Sequence, residues 1–178
     1  MEAKAFFSNT VADIEALDED VRAELIDGQI YYMAPPVTVH QRIISKLVRE
    51  IGNGLSKIGK DCEVLPAPFG VYLSDDDRNL VEPDVSVICE KEKLAEKGCH
   101  GAPDWVIEVV SPSSKKLDYS IKLFKYRTAG VKEYWIIDPE ARQVQIRDFE
   151  NDDYMCVSFD EAASCMHLPE IKISLSEY

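Results

Sequence analysis

The 178-residue chain predicts an α/β fold, a mixed sheet flanked by helices. Two observations carry this. "TVHQRIISKLVREIGNGLSKIG" repeats apolar residues at helical spacing, and the short apolar runs "WVIEVV" and "EYWIID" are separated by a helical stretch. Strand, helix and strand in that order make a crossover unit, with parallel strands and a right-handed connection.

The elements follow in order. "SNTVADIEALDED" opens with a short helix capped by Thr10 or Ser8. "AELIDGQIYYM" predicts a hairpin, because apolar residues flank Asp27-Gly28, a dipeptide that supplies positive φ in a tight turn. The long helix has Thr38 as cap, Ile43, Leu47, Ile51 and Leu55 on its buried face, and Gly59 as its stop. His40, four residues before Ile44, falls near that face. Three strand candidates come next: "CEVLPAPFGVYLS" (a broken strand or a pair), "VEPDVSVICE", and "DWVIEVV" after a loop containing Gly98 and Gly101. "SKKLDYSIKLFKYRTAG" predicts a second helix, with Leu117, Ile121, Phe124 and Thr128 buried and Gly130 at its end. "VKEYWIIDP" is a strand, "QVQIRDFE" pairs with it, and weaker strand signals lie in "YMCVSF" and "IKISL". No repeat or linker interrupts the chain. One domain over residues 1–178 is expected, with an N-terminal arm over 1–36, a core over 37–150 and C-terminal strands over 151–178.

The composition, 46% hydrophobic and 30% charged, is that of a soluble globular protein. The apolar runs are too short to span a bilayer and no secretory leader is visible, so no membrane partner and a cytoplasmic location are expected. Five cysteines without a CxxC pair argue against a disulfide framework or zinc cluster, and Cys89 reads as a small core hydrophobe. A net charge of -13 disfavours nonspecific binding to nucleic acid or anionic membrane.

Glu108 breaks the apolar run "WVIEVV". An ionised carboxylate there costs several kcal/mol unless a counter-charge faces it. Asp84 opens "DVSVIC" just after Pro83; if the two strands are neighbours, both carboxylates can face one side of the sheet. A divalent cation meets the need, and magnesium suits a site of one or two carboxylates that leaves room for water and a phosphate. A lysine or arginine from another element meets it as well, and the residues leave both readings open. Lys122 lies one helix further on, where an exposed Asp118–Lys122 pair at i,i+4 accounts for it equally.

"EPDVSVIC", "GAPDWVIEVVSPSS" and "DYSIKLFKYRTAGVKEYWIIDP", in that order, resemble the Uma-type restriction endonuclease family, a branch of the PD-(D/E)XK nuclease superfamily. The likeness runs from "AELIDGQIYYMAPP" to "EYWIIDP", two-thirds or more of the chain. It implies a restriction-endonuclease-like core of order α-β-β-β-α-β with an N-terminal hairpin extension. It also implies hydrolysis of DNA phosphodiester bonds with Mg²⁺, Mn²⁺ being the alternative ion. Carried over, Asp84 and Glu108 become catalytic metal ligands together with the backbone carbonyl of Val109. The superfamily pattern places a lysine at position 110, where this chain has Val110. In relatives of this branch the lysine comes from the following helix, which makes Lys122 the catalytic lysine. Glu24, His40 and Ser111 are candidate supporting residues, with hairpin packing, helix entry and turn capping as their structural alternatives. Asp104, in a second "PD", precedes its strand and lacks the spacing to a glutamate. A strip of Lys115, Lys116, Lys122, Lys125 and Arg127 is the expected DNA-facing surface, and a homodimer is left open. Val110 and the acidic charge favour the alternative: a catalytically weak or inactive nuclease-fold protein with an interaction or regulatory role. A hydrolase of smaller phosphate esters is the third reading.

Overall fold

The computed structural model describes residues 8–178; the first seven residues of the expected N-terminal arm lie outside the described residues. α1 (Val11–Glu15) is capped by Thr10, whose amide and hydroxyl both donate to the Asp13 carboxylate, at 2.7 and 3.0 Å. β1 (Ala23–Ile26) and β2 (Gln29–Tyr32) form the hairpin, with Ile26 facing Gln29. Asp27 and Gly28 take φ of 51° and 78°, the paired positive values of a two-residue hairpin turn. In α2 (Thr38–Lys57) the cap position belongs to Val37, and Thr38 is already helical.

The strands β3 (Glu63–Pro66), β4 (Val71–Tyr72), β5 (Leu80–Val81), β6 (Val85–Ile88), β7 (Leu94–Ala95), β8 (Gly98–His100) and β9 (Trp105–Val109) follow. A π-helical turn, Leu117–Lys122, then runs directly into α3 (Leu123–Ala129), which Gly130 ends at φ 96°. β10 (Glu133–Asp138), β11 (Gln143–Asp148), β12 (Asp153–Ser158), β13 (Ala162–Ser164) and β14 (Lys172–Ser174) complete the chain.

The central sheet has the order β12-β11-β10-β9-β6-β3. β9 and β10 are parallel and every other pair in it is antiparallel, as the crossover unit requires. With α2 leading and α3 between β9 and β10, its core elements run in the expected order α-β-β-β-α-β. β12 bonds to β11 along its whole length, so this sheet extends past residue 150. On one face, Ile43, Leu47 and Ile51 of α2 pack against Val87, Trp105, Ile107 and Trp135. β13 and β14 add Ala163 and Ile173 to that layer. On the other face, Val106, Tyr134 and Ile136 pack with Tyr126 of α3 and with Ile26, Val71 and Val81 of a second sheet. The even residues of β9 share that second face, which is where Glu108 points.

The second sheet, β2-β1-β5-β4-β8-β7, is a finding, because most of its strands have only two or three residues and leave no periodicity to read. The expected loop around Gly98 is the β7–β8 pair. Gly98 is held at φ +138°, and a Cβ built on it would lie 2.2 Å from the backbone oxygen of Gly70. Gly98→Ala is therefore expected to cost about 3 kcal/mol, lowering the melting temperature by roughly 6–12 °C. A thermal melt within about 2 °C of wild type would contradict that backbone approach.

The expectation that no cysteines pair is overturned at one place. Cys62 and Cys89 form a disulfide across 27 residues of chain. Glu63 pairs with Ile88, so the antiparallel register carries residues 62 and 89 face to face just beyond the strand ends. Cys89 is exposed rather than a core residue. Neither cysteine count nor spacing contains that register. Cys99 and Cys165 are free and buried, and Cys156 is free and exposed. Among the described residues no helix is long and apolar enough to cross a membrane.

Candidate active site

The site forms where the C-terminal end of β9 meets the start of β6. Val85 pairs with Ile107, so the antiparallel register sets Asp84 directly opposite Glu108. Residues facing each other in this way project to the same side of a sheet. Asp84 Oδ2 accepts a 2.7 Å hydrogen bond from the Val109 amide, and the Asp84 amide reaches back to Glu108 Oε2 at 3.4 Å. The two acidic residues are thus tied to each other's strand through the backbone.

Three further elements converge on the pair. Glu24 comes from β1, where its Oε1 accepts from the Glu82 amide at 2.8 Å. His40, in the first turn of α2, places Nε2 3.2 Å from Asp84 Oδ2. The π turn and α3 supply Asp118, Lys122 and Tyr126. Lys122 Nζ lies 2.9 Å from Glu108 Oε1, 2.8 Å from Glu24 Oε1 and 3.8 Å from Asp118 Oδ1. Tyr126 donates its hydroxyl to the same Glu108 oxygen at 2.7 Å. Lys122 is only 4% exposed.

This corrects the expected buried face of the second helix. Phe124, expected inside, is 61% exposed, and Thr128 is also exposed. The inward stripe is Asp118, Lys122 and Tyr126. A stripe of an acid, a base and a phenol carries no hydrophobic periodicity, so apolar spacing could not find it. The helical spacing of three polar residues at i, i+4 and i+8 was the available signal. Single π turns of this kind concentrate at functional sites.

The other expectations divide. Ser111 lies past the end of β9 in a serine turn, with its hydroxyl on Ser113 and Ser114 at 3.0 and 3.1 Å, and its contacts are those of a turn residue. Asp104 sits at the opposite end of β9, paired with Lys132 at 2.6 Å and accepting from the Cys89 amide at 2.7 Å. The expected basic strip is not a free surface. Lys122 is buried, Lys115 pairs with Asp138 at 3.0 Å, Arg127 with Asp152 at 2.7 Å, and Lys125 with Asp27. The acidic residues nearest these cations in space are distant in sequence, which is why the strip looked free.

Four carboxylates thus surround one buried ammonium and one imidazole. Burial pulls the Lys122 ammonium toward deprotonation, but Glu108, Glu24 and Asp118 outweigh it and hold the pKa well above the ordinary lysine value. Burial drives Glu108 well above the usual carboxylate range; Lys122 opposes this, while Asp118, Asp84 and Glu24 reinforce it. For His40, burial lowers the pKa, yet the hydrogen bond and charge of Asp84 and the Val109 carbonyl leave it raised. Asp118 is pushed from 3.8 to about 6, chiefly by burial, against the pull of Lys122.

Asp118 therefore binds its proton more tightly in the folded chain than in the unfolded one. Its contribution to stability is full below pH 3.8 and is lost as pH rises through about 6. Asp118→Asn in metal-free buffer is expected to stabilise the fold by about 1–3 kcal/mol at about pH 8 and by almost nothing at about pH 4. Urea midpoints at the two pH values test the sign. A variant less stable than wild type at the higher pH would mean that attraction to Lys122 outweighs the cost of burial.

Among the described residues no three or more His, Cys, Asp or Glu side chains gather as a metal site. The donor chemistry nevertheless fits a hard divalent ion. Asp84 and Glu108 offer carboxylate oxygens, the acids outnumber the cations, and the buried Asp118 Oδ1 has no hydrogen-bond partner. Magnesium needs only one or two carboxylates, with water and substrate completing its shell.

The order of core elements and the mixed sheet make this a restriction-endonuclease-like protein. The chain belongs to the family described as "Uma2: Putative restriction endonuclease", whose model matches residues 11–176. It is 26% identical over 155 residues to the uncharacterized protein slr1290 of Synechocystis sp., covering 86% of this chain and 80% of that protein. The crystal structure of "a putative nuclease belonging to DUF820" from Anabaena variabilis superposes with a TM-score of 0.77 at 21% identity, covering 96% of this chain and 97% of that one. The fold is shared with that structure, and the family description supports a nuclease.

Proposed function

We propose that the protein is a Mg²⁺-dependent endonuclease hydrolysing DNA phosphodiester bonds, with Mn²⁺ as the alternative ion. The observation that carries this is the Asp84–Glu108 pairing across β6 and β9, with the Lys122 ammonium 2.9 Å from Glu108. Asp84, Glu108 and the Val109 carbonyl would hold the ion. When bound, it supplies positive charge at a phosphoryl oxygen and lowers the pKa of a coordinated water.

The chain's own residues do the rest. Val109's amide and His40 fix the Asp84 carboxylate, and Tyr126 fixes Glu108. Lys122, kept protonated by Glu108 and Glu24, brings a cation to the edge of the site, where it orients the attacking water or offsets charge growing on the phosphate. DNA is the partner on this reading, with a homodimer as the assembly that would cut both strands. A cytoplasmic location stays part of the proposal, and the Cys62–Cys89 bridge is the feature that pulls against it.

Supercoiled plasmid and single-stranded DNA incubated with Mg²⁺, Mn²⁺ or a chelator test the reaction, and metal-dependent nicking is expected. Calorimetry that finds no binding of either ion would remove the mechanism. The second reading, a nuclease-fold interaction or regulatory protein, is favoured by one observation: Lys122 is already paired with Glu24 and Glu108, at 2.8 and 2.9 Å. It predicts metal binding without cleavage.

A further inference from the structure

In a chain with 33 acidic residues, the stretch from Gly28 to Lys60 contains one, Glu50. Most of that stretch is α2. Its inner face lies in the core, and its outer face presents Gln41, Arg42, Ser45, Arg49, Asn53 and Lys57, all exposed. Every one of them can donate a hydrogen bond, and none carries negative charge. Glu50 and Glu177 both close on Lys46, at 3.2 and 3.1 Å, and Glu177 also feels the charge of Arg49. Arg42, Arg49 and Lys57 make no ion pair among the described residues, unlike Lys115, Lys125 and Arg127.

We infer that this outer face of α2 is the surface on which a DNA duplex rests its phosphate backbone. The occupant follows from charge complementarity and from position. Arginine, lysine, serine, asparagine and glutamine are the side chains that hold phosphate oxygens. The same helix begins at the candidate site: His40 reaches Asp84 at 3.2 Å, and Arg42 stands two residues further on. At a rise of about 1.5 Å per residue, Arg42, Arg49 and Lys57 are spaced by roughly 10 and 12 Å over a helix about 30 Å long. A duplex lying along it therefore spans about nine base-pair steps, starting at the end of α2 that carries His40. The net charge of -13 disfavours DNA over the protein as a whole, so a duplex is drawn to the stretch that carries no excess acid.

The inference rests on the nuclease reading, and the test separates the two. Binding of a labelled duplex of about 30 base pairs is followed by fluorescence anisotropy from about 50 to about 300 mM salt, with Ca²⁺ replacing Mg²⁺ to keep the DNA intact. Plasmid cleavage with Mg²⁺ is run in parallel. The Arg42→Gln, Arg49→Gln, Lys57→Gln triple variant should bind at least about tenfold more weakly, with a salt slope shallower by about 2–3. A control that removes equal charge from other exposed ion pairs (Lys91→Gln, Lys97→Gln, Arg142→Gln) should stay within about twofold of wild type. Calorimetry should give all three proteins the same Mg²⁺ affinity. Unchanged affinity in the α2 variant, or an equal loss in the control, overturns the docking surface while wild-type cleavage keeps the nuclease reading. A wild type that neither binds nor cuts DNA overturns that reading and this inference together.

Discussion

Replacing Lys122 by methionine is expected to destabilise the fold by about 3–5 kcal/mol near neutral pH and to abolish cleavage. The substitution keeps the length and apolar stem of the side chain but withdraws the only ammonium within reach of Glu24 and Glu108 among the described residues. Both carboxylates are almost fully buried. Each then carries an uncompensated charge, and the chain's cheapest answer is to protonate them. The destabilisation should consequently shrink as pH falls, because protonation removes the charge that Lys122 had balanced. Denaturant unfolding between about pH 5 and pH 8 reads this directly. A loss of the same size at both ends would mean that Lys122 acts through packing. Adding Glu108→Gln to the methionine variant should recover part of the stability without recovering activity, since the two residues are in contact and their effects do not add.

Glu108→Gln alone separates chemistry from folding. Its carbonyl oxygen can still accept from Lys122 and from Tyr126, so the side chain keeps its two closest contacts. What it loses is a carboxylate charge that burial already disfavours. Stability should therefore stay within about 1 kcal/mol of wild type or rise, while metal-dependent cleavage falls on the order of 10³-fold and calorimetric Mg²⁺ binding weakens. Asp84→Asn should resemble it in activity; its side-chain carbonyl can still accept from the Val109 amide, so the stability it loses is the attraction of the carboxylate for His40. Full cleavage by Glu108→Gln would remove this residue from the proposed metal site.

Much of the fold was legible because its signals are local. The Asp27-Gly28 turn, the apolar face of α2 and the parallel β9–β10 unit each depend on residues adjacent in the chain. Glu108 also stood out, since a carboxylate in an apolar strand is anomalous wherever it occurs, whereas Asp84, just ahead of its strand, stood out only beside it. What escaped depends on contacts distant in sequence. The Cys62–Cys89 bridge follows from the register of β3 against β6, which no cysteine count contains. The two-residue strands of the second sheet are defined by their partners. Asp118 looked like half of an exposed helical pair, because only the carboxylates opposite make its face an interior one. Lys115, Lys125 and Arg127 looked available for the complementary reason: Asp138, Asp27 and Asp152 come from elsewhere in the chain to meet them.

Val110 closes the account of the lysine. It is 8% exposed and belongs to the same apolar cluster as Val106, Tyr126 and Ile136. Two residues beyond Glu108, it shares that residue's side of the sheet, so a lysine at 110 and the lysine of the π turn are two addresses for a single charge. Filling both would crowd two ammonium groups around the same carboxylates, and leaving both empty would strand those acids. On the proposed mechanism this chain needs that charge at one of the two addresses, and it supplies it from the helix. The ammonium is then specified as a point in space rather than as a position in the sequence.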